Sequence, residues 1–258
     1  MKYIYIHSGN KILDRLFLKK YNLIKILFKG TQFMKFIKIF ISIFLILFFI
    51  YIFNIYLKIS LFVSFTILFT FVIIYKILQF SRLDIQLSEI TQIALFSSLA
   101  TMCRCIIKIT PSASGFLPII ILSSSVINKN LGFILGAFSI FISNMLLGQG
   151  TWTPWQMVAS GSIGYLAGFI FNNRKTKPSI FQLTVFYLIC TIFIYCPIMN
   201  LFSFLLLTQC INTHSIITYF FPLFIIDTLN SIYSLIFLYI LYNPIINTIR
   251  NAGKICKG

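Results

Sequence analysis

From Pro178 to Ile249 the chain runs for seventy-two residues with Asp227 as its only formal charge. Surface helices of a water-soluble globule keep a charged or polar face toward solvent, and a segment this long without one has no such face to offer. It fits lipid instead. A bilayer core about 30 Å thick takes about 20 apolar residues per helix at about 1.5 Å each, so the stretch holds two crossings. The polar run Thr208 to Ser215 divides them. The whole chain agrees: 59% of its 258 residues are hydrophobic, 10% are charged, and the mean hydropathy is +0.96.

Other uncharged runs are measured against the same length. Nineteen residues lie between Lys38 and Lys58, and seventeen between Lys58 and Lys76, which predicts two helices. Ser88 to Ile107 predicts a third, with Arg104 near one end where a long cationic side chain reaches the interface. Twenty residues separate Lys108 from Lys129, but Pro111, Gly115 and Pro118 place the start of the fourth helix near Phe116. Asn130 to Asn173 is forty-four residues without a charge, about 66 Å as a single helix, and so predicts two helices broken at Gly148-Gln149-Gly150-Thr151. The expected fold is an all-α, polytopic membrane bundle of about eight transmembrane helices. A transmembrane barrel would alternate apolar and polar residues, and these runs are unbroken.

Lysine and arginine are retained on the cytoplasmic side of membrane helices. With both termini cytoplasmic, eighteen of the 21 basic residues fall inside and only Lys58, Arg104 and Lys108 fall outside. That predicts a multi-pass protein of the cell membrane with its 148–152 loop on the outer face. The net charge of +17 flanks membrane crossings and is not gathered in a soluble, aromatic-interleaved module, which argues against nucleic acid. Residues 1–38 read as a basic amphipathic cytoplasmic segment, 39–82 as two additional helices, and 83–258 as a six-helix core. The first apolar run lacks a small-residue cleavage pattern, so no cleavage is expected.

Chemistry is sparse. The six cysteines show no metal spacing and read as small apolar residues, so neither a disulfide nor a metal is assigned. The chain has no G-x-x-x-x-G-K-[ST], H-E-x-x-H or G-x-S-x-G, and its four carboxylates, Asp14, Asp84, Glu89 and Asp227, are not paired as an acid and base would be. A non-catalytic protein is expected. Small residues instead form stripes: Gly132, Gly136, Ser139 and Ser143 on one helix, and Ser160, Gly164 and Gly168 on the next, which predicts close packing. Ala94 and Ser98, with Ser97 and Thr101 beside them, make a further stripe. It reads either as internal packing or as a docking face for a partner subunit.

Both tryptophans of the chain fall in one connection, Gly148-Gln149-Gly150-Thr151-Trp152-Thr153-Pro154-Trp155-Gln156-Met157. Thr153 is an expected N-cap, Pro154 suits the first helical position, and Gln156 would complete a capping box. Trp152 and Met157 would form the hydrophobic staple. The free amides of this helix start would face an arriving solute, while an interfacial tryptophan belt accounts for the same residues.

The decapeptide, with Ser143-Asn144 before it and Gly161, Gly164 and Gly168 after it, resembles a signature of S components of energy-coupling-factor (ECF) transporters. Thr151 stands where that family commonly has proline. The resemblance covers about residues 86–245 and leaves the first two helices outside it. It implies a bundle that binds a vitamin or cofactor precursor near the outer surface, a membrane scaffold (T) subunit as partner, and two cytoplasmic ATPases. It implies no covalently held cofactor, only the transported vitamin as ligand. The signature is similar to that of cobalamin-type components, which implies a corrinoid-like solute, although aromatics and amides suit thiamin, flavin or deazapurine alike.

The expected substrate contacts are Asn144, Gln149, Trp152, Trp155 and Gln156, which combine aromatic surface with orienting amides. Arg104 and Lys108 are outer cations able to receive an anionic group. Asp227, a lone carboxylate in an apolar segment with Pro222 and Asn230 nearby, is expected to face the bundle, with Arg104 as its partner. Ala94 and Ser98 are the expected partner-docking residues. His214, in the last outer loop, reads as either solvated or touching a solute. Asp227 also keeps open an ion-coupled secondary transporter, and a membrane accessory or scaffold subunit is the third reading.

Overall fold

The fold is that of a computed structural model, which describes residues 60–83, 85–107, 114–172, 178–207 and 213–255. The basic segment 1–38, the expected crossing at 39–57, Asp84, Lys108 and the basic loop 174–177 lie outside the described residues. Regular structure among the described residues is entirely helical: α1 (Leu61–Phe80), α2 (Leu87–Ile107), α3 (Phe116–Ser124), α4 (Lys129–Leu147), α5 (Thr153–Phe171), α6 (Ile180–Leu207) and α7 (Thr213–Ile255). α6 carries one π-helical turn, Thr191–Tyr195. All seven belong to one compact unit, Ser60–Gly258.

Leu61–Phe80, Lys129–Leu147, Ile180–Leu207 and, within α7, His214–Thr248 are each long and apolar enough to cross a membrane. Their outward side chains are large and apolar, as at Phe71, Phe181, Tyr233 and Ile240, all more than 60% exposed. That surface suits lipid tails. The segment after Phe116 begins where expected and is short, which corrects only its place in the count of about eight crossings. α3 has nine residues and rises only about 14 Å. Asn128, whose side chain accepts from the Asn130 amide, already caps α4. Every residue of α3 is buried, so it serves as a short central post around which the longer helices stand.

The small-residue stripes bring α4 and α5 together as expected. A methyl group on Gly132 would stand 2.5 Å from the Gly164 carbonyl oxygen, and one on Gly136 2.5 Å from that of Ser160. Ser160 Oγ donates to the Gly136 carbonyl at 3.0 Å. In lipid, where apolar burial gives helices little reason to associate, backbone approach of this kind holds the pair. The α2 stripe divides its work. Ser97 and Thr101 are buried and donate to the Leu135 and Ser139 carbonyls of α4, at 3.5 and 3.2 Å, whereas Ala94 and Ser98 face outward.

Candidate functional site

Three helix ends meet at one place. α4 stops at Gly148, whose φ of +118° is a conformation side chains resist, and the Gly148 amide donates to the Asn144 carbonyl at 2.8 Å. The following loop turns at once into α5, with the Thr153 amide on the Gly150 carbonyl at 3.0 Å. This sharp return sets Asn144 of α4 beside the first turn of α5. Arg104, near the C-terminal end of α2, reaches across to both.

Thr153 does not cap α5. Its backbone is already helical and Trp152 takes the cap position, without a side-chain cap bond. The Thr153 hydroxyl turns back instead: it donates to Gln149 Oε1 at 2.9 Å and accepts from Asn144 Nδ2 at 2.9 Å and from the Gly150 amide at 3.4 Å. Nor does Gln156 return to a cap amide. Its Oε1 accepts from Asn144 Nδ2 at 3.0 Å and from Arg104 Nη2 at 3.2 Å. The expected capping box is absent here because a cation and two amides compete for the same side chains.

Arg104 is the centre of the cluster. It is 6% exposed, and its Nη1 donates to Ser143 Oγ and, at 2.8 Å, to Asn144 Oδ1. Its guanidinium lies 5.8 Å from the centre of the Phe116 ring. Every one of these partners is neutral. Glu89 caps the far end of α2, accepting from the Gln86 amide at 3.2 Å. Asp227 accepts from Asn200 Nδ2 at 2.7 Å. The expected Arg104–Asp227 ion pair is therefore not formed, and among the described residues no carboxylate neutralises the guanidinium. A buried charge without a counter-ion is expensive, and here three neutral acceptors on α4 and α5 stand in for one.

The two tryptophans part company. Trp152 is 39% exposed, its ring lying over Gly150, where any side chain would collide with it. Trp155 is fully buried. Its ring sits among Phe62, Phe65 and Phe69 of α1 and Phe202 of α6, at centroid distances of 6.3, 5.8, 4.7 and 5.6 Å. Its Nε1 donates to Thr66 Oγ1 at 3.0 Å. Trp155 thus stands behind the polar cluster as the socket for α1.

The structure gathers Arg104, Asn144, Gln149 and Gln156, and sets Trp152 at their edge. Asp227 lies apart with Asn200, and His214 is exposed at the start of α7. Sequence reasoning missed Ser143 and Thr153 as members of the polar cluster, although both stand in or beside the tryptophan-bearing segment. It also missed Thr66, which no local pattern marks.

The described residues thus form a helical bundle with four helices long and apolar enough to cross a membrane, and a buried polar cluster sits at the turn between two tightly packed helices. Residues 84–251 match the family model described as ECF-type riboflavin transporter, S component, and the chain belongs to that family. It is a membrane-embedded S component of a vitamin-uptake system. The match spans α2 to α6 and most of α7, and leaves α1 outside. The corrinoid expectation drawn from the loop finds no support in it. No curated protein and no solved structure matches the chain.

Proposed function

We propose that the chain captures riboflavin, or a closely related flavin, at the outer face of the cell membrane. It delivers the vitamin inward when docked to a scaffold T subunit powered by two cytoplasmic ATPases. Both termini are cytoplasmic in this reading, which the distribution of basic residues supports. Residues 83–258 are the solute-binding core. The observation that carries the proposal is the buried, carboxylate-free guanidinium of Arg104, held by Ser143, Asn144 and Gln156 inside the segment that bears the family resemblance. Arg104, Asn144, Gln149 and Gln156 offer hydrogen bonds to the oxygens and ring nitrogens of the vitamin, Trp152 offers an exposed ring at the entrance, and Trp155 braces the site from behind. Ala94 and Ser98, on the outward face of α2, are the docking residues for the T subunit, since small side chains let a partner helix approach closely.

The test is thermal unfolding of the purified chain in detergent with riboflavin, flavin mononucleotide, cobalamin and thiamin. A ligand at about 100 times its Kd adds about 2.7 kcal/mol, a rise in Tm of about 5–11 °C for a chain of this size. Riboflavin is expected to give that rise, and Arg104→Gln to abolish it. A rise with cobalamin alone would restore the corrinoid reading, and no rise with any vitamin would refute the proposal.

A further inference from the structure

At the end of the bundle opposite the 148–152 loop, two lysines from different helices meet over one ring. Lys76, one turn before the end of α1, stands 4.5 Å from the centre of the Tyr165 ring of α5 and 5.5 Å from that of Phe133 of α4. Lys129, the first residue of α4, stands 5.9 Å from the same Tyr165 ring and 5.3 Å from that of Phe169. Packing fixes this arrangement. Tyr165 and Phe169 form a parallel stack, 6.4 Å between centroids and 4° between planes, and α4 starts so close to α5 that a methyl group on Gly168 would stand 2.7 Å from Lys129 Cα. The rings attract each ammonium but neutralise neither, and the two positive charges repel. The two described carboxylates are engaged elsewhere, Glu89 at the start of α2 and Asp227 with Asn200. Of the three N–H donors on each ammonium, Lys76 gives one to Gln79 Oε1 at 3.2 Å, and among the described residues no other acceptor takes one. Around the pair the surface is apolar: Tyr75 and Ile77 of α1 and Phe169 and Ile170 of α5 are exposed. On a membrane bundle lipid tails cover such a surface, so an anion that reaches the two lysines there carries tails of its own.

We propose that Lys76 and Lys129 form a site for the phosphate of an anionic phospholipid, whose headgroup bridges α1 to α4 and whose chains lie along the exposed apolar faces of α1 and α5. Basic pockets between membrane helices take such headgroups, and both lysines stand at or within one turn of a helix end, the depth at which headgroups lie. In the topology proposed above, the site opens to the cytoplasmic leaflet. The phosphate offsets the repulsion between the two ammonium groups. It also ties α1, which lies outside the family match, to the core that the match covers.

The test is native mass spectrometry of the full chain in neutral detergent, titrated with phosphatidylglycerol, phosphatidylcholine or inorganic phosphate. Each lysine beside a headgroup strengthens binding about fivefold, so phosphatidylglycerol is expected to bind about 30-fold more tightly than phosphatidylcholine. Lys76→Gln and Lys129→Gln should each remove about fivefold of that preference, and the double variant all of it. Lys76→Arg and Lys129→Arg keep the charge and should keep the preference, which decides the matter even where the double glutamine variant does not fold. Arg82→Gln, an exposed position at the same end of the bundle, should change nothing. A loss there as large as at either lysine would mean diffuse attraction and refute the site. Equal binding of the two lipids overturns it too, as does saturation by inorganic phosphate alone, the mark of a site for a free anion. No vitamin enters the measurement, so its failure and that of the riboflavin reading are separate results.

Discussion

Replacing Trp155 with alanine separates a residue that touches solute from one that holds a helix in place. The indole is completely buried among Phe62, Phe65, Phe69 and Phe202. Loss of so large a buried ring costs about 3–5 kcal/mol. The hydrogen bond to Thr66 adds about 0.6 kcal/mol, the average for a side-chain bond within a bilayer. Thr66 itself stays satisfied, since its hydroxyl also donates to the Phe62 carbonyl at 2.8 Å. For a chain of this size the sum lowers Tm by about 7–22 °C. The assay is thermal unfolding in detergent, read by circular dichroism, with tryptophan emission as a second signal. The variant keeps only Trp152, which is 39% exposed, so its emission should move to longer wavelength. Trp155→Phe keeps an aromatic ring in the socket and should cost much less. A fall of under about 3 °C in Trp155→Ala, accompanied by a large loss of vitamin affinity, would refute the socket and return the indole to the solute.

Three further outcomes follow from the packing. Gly136→Val drives a side chain into the Ser160 carbonyl and should cost at least about 1–3 kcal/mol, visible as a Tm drop of about 2–12 °C. Gly148→Ala meets no neighbour within 4 Å yet forces φ of +118°, so it should cost about 1–3 kcal/mol from backbone strain alone and leave the α4–α5 crossing intact by cysteine crosslinking between those helices. Ala94→Trp, on the outward face of α2, should abolish vitamin uptake in cells that supply the T subunit and ATPases while leaving binding by the purified chain unchanged; normal uptake would remove Ala94 from the docking face.

The break between α4 and α5 was legible because its signals are local: Gly148 ends one helix and Pro154 stands in the first turn of the next. The α4–α5 crossing was legible for the same reason, since a stripe of small residues means close approach whatever the partner. The cap at Thr153 was misread because capping preferences assume no competitor, and here Asn144, Gln149 and the Gly150 amide all claim the hydroxyl. Arg104 was recognised as a candidate, but its partners lie 39 to 52 residues away and no periodicity connects them. The Arg104–Asp227 pairing failed because opposite charge was the only ground for it, and Asn200 takes the carboxylate instead. The shortness of α3 was legible in Pro111, Gly115 and Pro118, whereas the π-turn of α6 leaves no compositional mark, being settled by what packs around it.

The contact between α1 and Trp155 also says something about how the protein is made. Thr66 and Trp155 are 89 residues apart. At a synthesis rate of about 5–20 residues per second, α1 leaves the ribosome about 4–18 s before the indole it will hold. In water, a helix bearing Phe62, Phe65 and Phe69 would be an aggregation hazard for that interval. Within the bilayer these rings rest against lipid tails as apolar as themselves, so α1 waits without penalty and docks when α5 arrives. An early-inserted helix that completes its contacts late makes the order of membrane insertion part of how this site is assembled.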